Sequence, residues 1–338
     1  MSKTIYDIAK AAGVSIATVS RVFNNAETVR PATRKKVLKV ADKMGYQPHV
    51  YAQGLARKKK NRIMMLIPVM SNYFFTEILR GIQDCLASHN FELNIVNINH
   101  EEDPLSQVEN VLMKKWAEGY LLVSLHFTED ELKLLKRYNT PISLVDDCSE
   151  LFDSVSFDNK QGAYLATNYL INTGYKKIVF LSASSESIPI KDRLEGYKKA
   201  LKENNIPFDE NLIVSGDSME RDGFTEKSGY EAMLKILKLN PLPDACFCTS
   251  DIKAVGAQKA MRETGIDIPL ISFDNLTMAE YIGLSTVHQP MYTMGLNATK
   301  KLINRIHNKG VDPSHEIHQP ELIIRSSSEP ASIKHVAL

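Results

Sequence analysis

The chain of 338 residues is 43% hydrophobic, 24% charged and only 8% aromatic. This length and apolar content exclude a disordered chain and a single small domain, and they predict two or more packed domains. No apolar run approaches the roughly 20 residues of a membrane-spanning helix, which excludes an integral membrane protein. The polar start does not have the pattern of a signal peptide, and four scattered cysteines fit neither a disulfide framework nor a four-ligand zinc site. We therefore expect a cytoplasmic protein with reduced thiols.

The net charge of +1 conceals a strong asymmetry along the chain. Residues 1–60 contain 13 Lys and Arg against 3 Asp and Glu, whereas the remaining 278 residues contain 28 Lys and Arg against 37 Asp and Glu. A basic N-terminal segment on an acidic body is typical of a protein that binds a polyanion. A solvated basic arm would have the same composition, so only the residue pattern within the segment can distinguish it from a polyanion-binding domain.

Three short helices are predicted in this basic segment. Thr4 is a suitable N-cap for the first helix, and Gly13 ends it. The second helix starts after Ser15, and the third starts at Pro31 and ends near Gly45. Two short helices joined by a glycine-containing turn form a helix-turn-helix motif.

In such a motif the second helix lies in the major groove of DNA. Ile16 and Ala17 would press against thymine methyl groups, and Arg21 would donate two hydrogen bonds to a guanine. The alternative for Ile16 and Ala17 is a contact between helices. Thr18, Ser20, Asn24 and the cations of the third helix would mostly bind phosphates.

The segment resembles the N-terminal domain of the LacI/GalR family of bacterial transcription regulators. The matching runs are residues 4–9 (TIYDIA), 12–15 (AGVS) and 18–24 (TVSRVFN). The SxATVSR form is similar to the catabolite control proteins within that family. Thr4, Tyr6 and Ser15 complete the DNA-binding residues that we predict in residues 1–47.

Residues 48–60 match the hinge helix of the family, followed by a basic linker. The resemblance implies that this helix folds on operator DNA. Leu55 would then insert into the minor groove at the centre of a near-palindrome, usually at a CpG step, with Ala52 beside it. The chain departs from the family at His49, where Asn is usual, and at Gln53, where Arg is common.

Strand and helix patterns alternate through residues 61–338, and such alternation predicts parallel sheets covered by helices on both faces. The number of units exceeds one doubly wound domain. We therefore expect an all-α helix-turn-helix head and an α/β body of two doubly wound parallel-sheet lobes, similar to periplasmic binding proteins. The predicted strands are 62–67, 91–96, 120–123, 142–145, 177–181, 245–248 and 270–273.

Family analogy also divides the body into its two lobes. The chain would cross between them near residues 157, 288 and 318. Lobe one would comprise about 61–157 and 288–317 and would carry the dimer contact. Lobe two would comprise about 158–287 and 318–330.

Polar and aromatic residues follow the carboxyl ends of the predicted strands, where α/β folds bind ligands. Each aspartate alone could be a helix N-cap, but carboxylates, aromatic rings and one arginine together suit a small polar ligand such as a sugar. The resemblance implies that Arg193 grips the effector, that Asp274 accepts its hydroxyls or amines, and that Phe224 forms an aromatic wall. An insertion at 216–222 could shift that wall. The predicted effector-binding residues are Asn72, Tyr73, Phe74, Asp146, Arg193, Phe224, Asp251, Asp274 and Gln289.

The resemblance implies a cytoplasmic homodimer that binds a two-fold symmetric operator, most simply a repressor. An effector would change operator affinity only through its differential affinity for two states of the protein.

Two alternatives to an effector-controlled repressor are open, and an enzyme would be a third function, of a different class. A catabolite control protein would use a phosphorylated carrier protein as co-repressor; residues 289–292 resemble that subgroup, whereas Thr293 and Lys300 depart from it. A transport-type solute-binding protein would share the body, but the basic head opposes it. The sequence has no phosphate-binding glycine loop, HExxH helix or nucleophile elbow, so we predict no enzyme, metal or cofactor.

Overall fold

The computed structural model describes residues 4–23, 29–46, 61–68, 73–99, 102–183, 187–218, 220–308 and 310–329. The chain divides into a head, Met1–Asn61, and a body, Arg62–Leu338. The predictions made for Asn24, His49, Ala52, Leu55 and Asn72 fall outside the described residues.

The head contains three helices around a small apolar core. Ile8, Val19 and Val37, one from each helix, are fully buried in it. The helices are α1 (Ile5–Ala12), α2 (Ile16–Phe23) and α3 (Pro31–Lys43).

The predicted ends of these helices are confirmed. Thr4 and Asp7 form a reciprocal capping box at the start of α1. The Ser15 hydroxyl accepts the backbone N–H of Thr18 at 3.1 Å, which satisfies a free donor of α2. Gly13 and Gly45 follow α1 and α3 with φ of 61° and 60°, in the left-handed region that favours glycine.

The body consists of two six-stranded sheets covered by helices, which confirms the predicted fold class. In its described part the strands are β1 (Arg62–Ile67), β2 (Glu92–Asn97), β3 (Gly119–Val123), β4 (Ile142–Val145), β5 (Asp153–Phe157), β6 (Ile178–Ser182), β7 (Ile213–Ser215), β8 (Ala245–Cys248), β9 (Leu270–Asp274), β10 (Ser285–His288), β11 (His315–His318) and β12 (Glu321–Ile323). The helices are α4 (Tyr73–Ala87), α5 (Pro104–Met113), α6 (Glu129–Lys136), α7 (Asn159–Asn172), α8 (Ile188–Glu203), α9 (Glu226–Ile236), α10 (Asp251–Thr264), α11 (Thr277–Tyr281) and α12 (Met291–His307).

The strand order defines two lobes. The sheet of lobe one has the order β11-β5-β4-β3-β1-β2, and the sheet of lobe two has the order β12-β10-β9-β8-β6-β7. All described pairings are parallel except that of β10 with β12. The chain therefore changes sheet after β5, after β10 and after β11, and α12 packs on lobe one against α4 and strands β3 to β5.

Several strands were not predicted from the sequence because they are short and partly polar. In β5, Asp153 and Ser154 are buried. The Asp153 carboxylate is paired there, because Arg305 donates to it and the backbone N–H of Ser314 donates to it at 2.9 Å. Polar side chains paired in this way hide the apolar pattern by which a buried strand is recognised. Among the described residues, no helix is long and apolar enough to cross a membrane.

Candidate functional site

The outer face of α2 is a candidate nucleic-acid interface. Ile16 is 41% exposed, and Ala17 and Arg21 are also exposed. The alternative that Ile16 and Ala17 pack between helices is therefore wrong for the head as described. A shallow depression of 310 Å³ lies beside this face, and Ser15, Thr18, Arg21, Arg30 and Thr33 are among the residues that line it.

The other predicted DNA-binding residues of the head lie at its surface or serve its helices. Tyr6 is exposed, and Ser20 is half-buried. The Thr4 hydroxyl donates to the Asp7 carboxylate at 2.9 Å, so it already stabilises the start of α1. Lys35, Lys36 and Lys39 lie exposed on α3, which adds positive charge to the head.

Arg193 lies at the centre of a second candidate site, in the body. It is only 5% exposed, and its guanidinium lies 3.7 Å from the centroid of the Phe273 ring. Its Nε donates to Asn159 Oδ1 at 2.9 Å and its Nη1 to the carbonyl of Thr249 at 2.5 Å. Nη2 donates to Gln289 Oε1 at 3.4 Å. Arg193 thus connects α7, the end of β8 and the crossing segment after β10.

Asp274, at the end of β9, lies 4.0 Å from the Arg193 guanidinium. Burial raises its pKa to about 8, and Arg193 opposes that shift. Its φ of 114° is a conformation that L residues rarely adopt. A strained and buried carboxyl group of this kind is typical of a functional position.

Asp146, at the end of β4, is a residue of lobe one that lies close enough to Arg193 of lobe two to be affected by its charge. Its carboxylate accepts a hydrogen bond from the Ser124 hydroxyl at 2.8 Å and lies 3.9 Å from His126 Nε2. Burial raises its pKa, and His126, Ser124 and Arg193 oppose the rise. Because Arg193 acts on carboxyl groups of both lobes, we call Asp146, Arg193, Asp274 and Gln289 the central cluster.

Two buried polar atoms beside this cluster have no hydrogen-bond partner in the part of the chain that the structure describes. They are Gln289 Nε2, on a side chain 1% exposed, and Ser250 Oγ. An unpaired buried donor costs about 1–3 kcal/mol, so such atoms are uncommon unless a ligand or water completes them.

Asp251, one of the predicted effector-binding residues, is paired with groups of its own lobe. It is fully buried, and its carboxylate accepts hydrogen bonds from Thr286 Oγ1 and from the backbone N–H of Leu276, both at 2.7 Å. The Ser272 hydroxyl also donates to it. Asp251 therefore supports the turn after β9, and Ser250, one residue earlier, has the unpaired hydroxyl.

The aromatic residues predicted for the site differ in their exposure. Tyr73 is 49% exposed, whereas Phe74 is half-buried and packs edge-on against Phe75 with ring centroids 5.2 Å apart. Phe224 is half-buried after the 3-10 turn Glu220–Gly223. A groove of 580 Å³, which has Tyr73 and Gln289 in its lining, connects the start of α4 with the crossing segment.

Lys253 positions the backbone next to Phe224 and was not predicted from the sequence. It is fully buried in α10, and its ammonium donates to the carbonyl of Gly223 at 2.9 Å and to Ser228 Oγ at 2.8 Å. Burial lowers its pKa to about 8. These bonds fix the end of the segment that we had identified as an insertion.

Comparison with known families agrees with this architecture over almost the whole chain. Residues 4–49 match the family described as "Bacterial regulatory proteins, lacI family". Residues 60–326 match the "Periplasmic binding proteins and sugar binding domain of LacI family". The chain belongs to the LacI family. As a LacI-family protein with both domains, it is a DNA-binding transcriptional regulator, as the sequence predicted.

Relatives of this LacI-family chain include named regulators of similar length. It is 35% identical to "Catabolite control protein A" of Priestia megaterium, over 93% of this chain and 96% of that protein. It is 33% identical to "HTH-type transcriptional repressor PurR" of Vibrio atlanticus (strain LGP32), over 96% and 98% of the two chains. These relatives are regulators and not enzymes.

Solved structures of LacI-family proteins share the fold. The lac repressor dimer bound to operator and the anti-inducer ONPF has a TM-score of 0.79 at 24% identity, covering 97% of this chain and 99% of that chain. A complex of the transcriptional regulator CelR with cellobiose has a TM-score of 0.69 at 26% identity, covering 96% and 99%.

Proposed function

We propose that this regulator is a cytoplasmic homodimeric repressor whose affinity for a near-palindromic operator is set by a small polar ligand. The ligand, a sugar or sugar derivative, binds between the two lobes at the central cluster. The observation that carries this proposal is the position of Arg193, which contacts Asp274 and Gln289 and acts electrostatically on Asp146 of the other lobe. A ligand at this point touches both lobes and can favour one relative arrangement of them.

The exposed face of α2 supports the DNA-binding half of the proposal. In the bound state Ile16 and Ala17 would contact thymine methyl groups, and Arg21 would contact a guanine. Ser15, Thr18 and Ser20 would contact phosphates. The roles given to Leu55, Ala52, His49 and Asn24 remain predictions.

The experiment that tests the ligand-binding half is a thermal-shift measurement of the purified chain against sugars, sugar phosphates and nucleobases. A true ligand at about 100 times its dissociation constant adds about 2.7 kcal/mol of stability. The same ligand should not stabilise Arg193→Ala. A ligand that shifts both chains equally binds elsewhere and would refute the proposed site.

A second candidate function is control by a phosphorylated carrier protein, as in the catabolite control proteins. Identity of 35% to such a protein favours it. The corresponding surface has Tyr292, whose hydroxyl donates to Asp84 at 2.9 Å and whose ring lies 5.0 Å from the Arg80 guanidinium. Thr293 and Lys300 oppose it, because an acidic and an arginine side chain are expected there. A pull-down of the phosphorylated and unphosphorylated carrier on immobilised chain distinguishes the two functions.

A further inference from the structure

A buried lysine lies at the centre of the contacts around Phe224. Lys253 is fully buried in the first turn of α10, and its ammonium donates to the carbonyl of Gly223 at 2.9 Å and to Ser228 Oγ at 2.8 Å. Ser228 is itself fully buried, and its backbone N–H donates to Thr225 Oγ1 at 3.1 Å. Lys253 therefore holds the residue before Phe224 directly, and it holds the residue after Phe224 through Ser228.

Stability alone does not explain a lysine at this position. Burial removes the ammonium from water and lowers its pKa to about 8. A buried charge costs free energy even when it is hydrogen-bonded, and well-packed apolar side chains are often as stable in the place of buried ionic groups. A hydrogen-bonded cation does provide direction, because each of its N–H groups fixes the place of one acceptor. The two bonds of Lys253 thus specify the course of the backbone between Gly223 and Ser228.

The segment that Lys253 holds is the one at residues 216–222 that we identified as an insertion, together with Gly223. Its start is fixed at the surface of α9, where the Glu231 carboxylate accepts the backbone N–H groups of residues 217–218 at 3.0 and 3.1 Å. Its end is held from the interior, by the ammonium of Lys253. At that end Gly223 has a φ of 79°, in the left-handed region that favours glycine. The direction in which the chain leaves this segment therefore depends on the bond between Lys253 and the Gly223 carbonyl.

The contacts also place Phe224 at the edge of lobe two where Arg193 is bonded. The starts of α9 and α10 are in backbone contact, since a Cβ atom on Gly229 would lie 2.0 Å from the carbonyl oxygen of Lys253. Helix α10 follows β8 directly, and the carbonyl of Thr249 between them accepts a hydrogen bond from Arg193 Nη1. Parallel sheets bind ligands at the carboxyl ends of their strands. Phe224, two residues before α9, is half-buried and belongs to this edge.

We propose that Lys253 is a positioning residue of the ligand site, which holds the backbone on both sides of Phe224 and so determines where that ring stands and which ligands it accepts. Lys253 does not touch the ligand, because it is fully buried and its ammonium is bonded to the protein. A binding group has to be held within about 0.5 Å of its productive position by the residues around it. This inference rests on the proposed function, and it assigns a residue that sets the selectivity of the same site.

Hydrogen exchange of the full chain tests the positioning step without a ligand. In Lys253→Met, which has no ammonium, the backbone amides of residues 223–228 should exchange at least about ten-fold faster because they open locally, whereas those of β3 and β4 in lobe one should not change. Lys235→Met is the matched control and should leave residues 223–228 unchanged, since Lys235 holds the opposite end of the segment from the surface, through Ser215 and Asp217. Equal exchange of residues 223–228 in Lys253→Met and wild type would overturn the inference.

A double-mutant cycle tests whether Lys253 acts through the ring of Phe224. The probes are ribose, glucose, galactose, cellobiose and maltose, each titrated calorimetrically. For the sugar that binds the wild type most tightly, Lys253→Met should raise the Kd by about five- to ten-fold, and in the Phe224→Ala background it should have no further effect. A merely structural role would weaken binding equally in both backgrounds, and that result would overturn the inference. Ser228→Ala removes one of the two acceptors, should show the same pattern with a smaller change, and replaces Lys253→Met if that variant does not fold.

The outcomes distinguish this inference from the proposed function. A sugar that Lys253→Met binds as tightly as the wild type, and that Arg193→Ala does not bind, would overturn the inference and leave the proposed function intact. A sugar that Arg193→Ala binds as tightly as the wild type would contradict the proposed function, whereas the exchange rates of residues 223–228 would still decide the positioning role. If none of the five sugars binds, those exchange rates decide the inference alone.

Discussion

The guanidinium of Arg193 lies 4.0 Å from the carboxyl group of Asp274, and both side chains are buried. Burial favours the neutral form of Asp274, whereas Arg193 favours its ionised form. The protonation of this pair therefore depends on what enters the space beside it. A ligand that binds beside this pair would therefore be expected to change its charge.

The planar geometry of Arg193 should matter as much as its charge. Arg193→Lys keeps a cation but loses the fixed fork that reaches Asn159, Thr249 and Gln289. We expect the ligand dissociation constant to rise by about ten- to a hundred-fold, with operator binding in the absence of ligand unchanged. Isothermal titration and operator anisotropy measure the two properties. Lys160→Ala, at an exposed cation paired with Glu195, is the control, and unchanged affinity of Arg193→Lys would exclude the fork as a ligand clamp.

Asp274 should destabilise the ligand-free protein as the pH rises. Its pKa is raised from 3.8 to about 8, so between these values the folded chain holds a proton that the unfolded chain has released. The free energy of unfolding contributed by this group therefore falls as the pH rises from about 4 to about 8. Asp274→Asn should remove this fall and stabilise the empty protein near pH 8 by on the order of 1–2 kcal/mol, while weakening ligand binding. Urea unfolding at several pH values measures it; a variant less stable than wild type near pH 8 would contradict the account.

Lys253 should give the opposite pH dependence. Its pKa is lowered from 10.5 to about 8, so between these values the unfolded chain binds a proton that the folded chain does not. The free energy of unfolding contributed by this group therefore rises as the pH increases above about 8. Lys253→Met removes both the titration and the bonds to Gly223 and Ser228. The difference in unfolding free energy between wild type and variant should grow from about pH 7.5 to about pH 9.5. Lys259→Met, at an exposed lysine of the same helix, should show no such trend.

Arg21 and Lys36 should contribute to DNA binding in different ways. Both are exposed, so neither substitution by alanine should unfold the head. Arg21→Ala should cost about 1–3 kcal/mol and relax specificity at one base pair of the half-site. Lys36→Ala should weaken binding to all sequences about equally and reduce the salt dependence. Binding to an operator and to single-base variants distinguishes them; a uniform loss for Arg21→Ala would refute its base contact.

The head was predictable from local signals because its helix caps, glycines and apolar spacing each involve residues that are close together in the sequence. The buried role of Lys253 was not, since a lysine in a helix normally lies in solvent and its acceptors, Gly223 and Ser228, are distant in sequence. The pairing of Asp251 and the unpaired hydroxyl of Ser250 depend on how the chain turns after β8. A one-residue change in direction at a strand end decides which side chain is paired within the turn, and only the packed turn determines it.

The most direct test of the central claim is operator affinity measured with and without the ligand found by thermal shift, using a duplex enriched from random DNA by the chain itself. The account predicts that the ligand changes the operator dissociation constant of the wild type by about 5- to 150-fold and leaves that of Arg193→Ala unchanged. An operator affinity that the ligand does not alter, or alters equally in both chains, would contradict it.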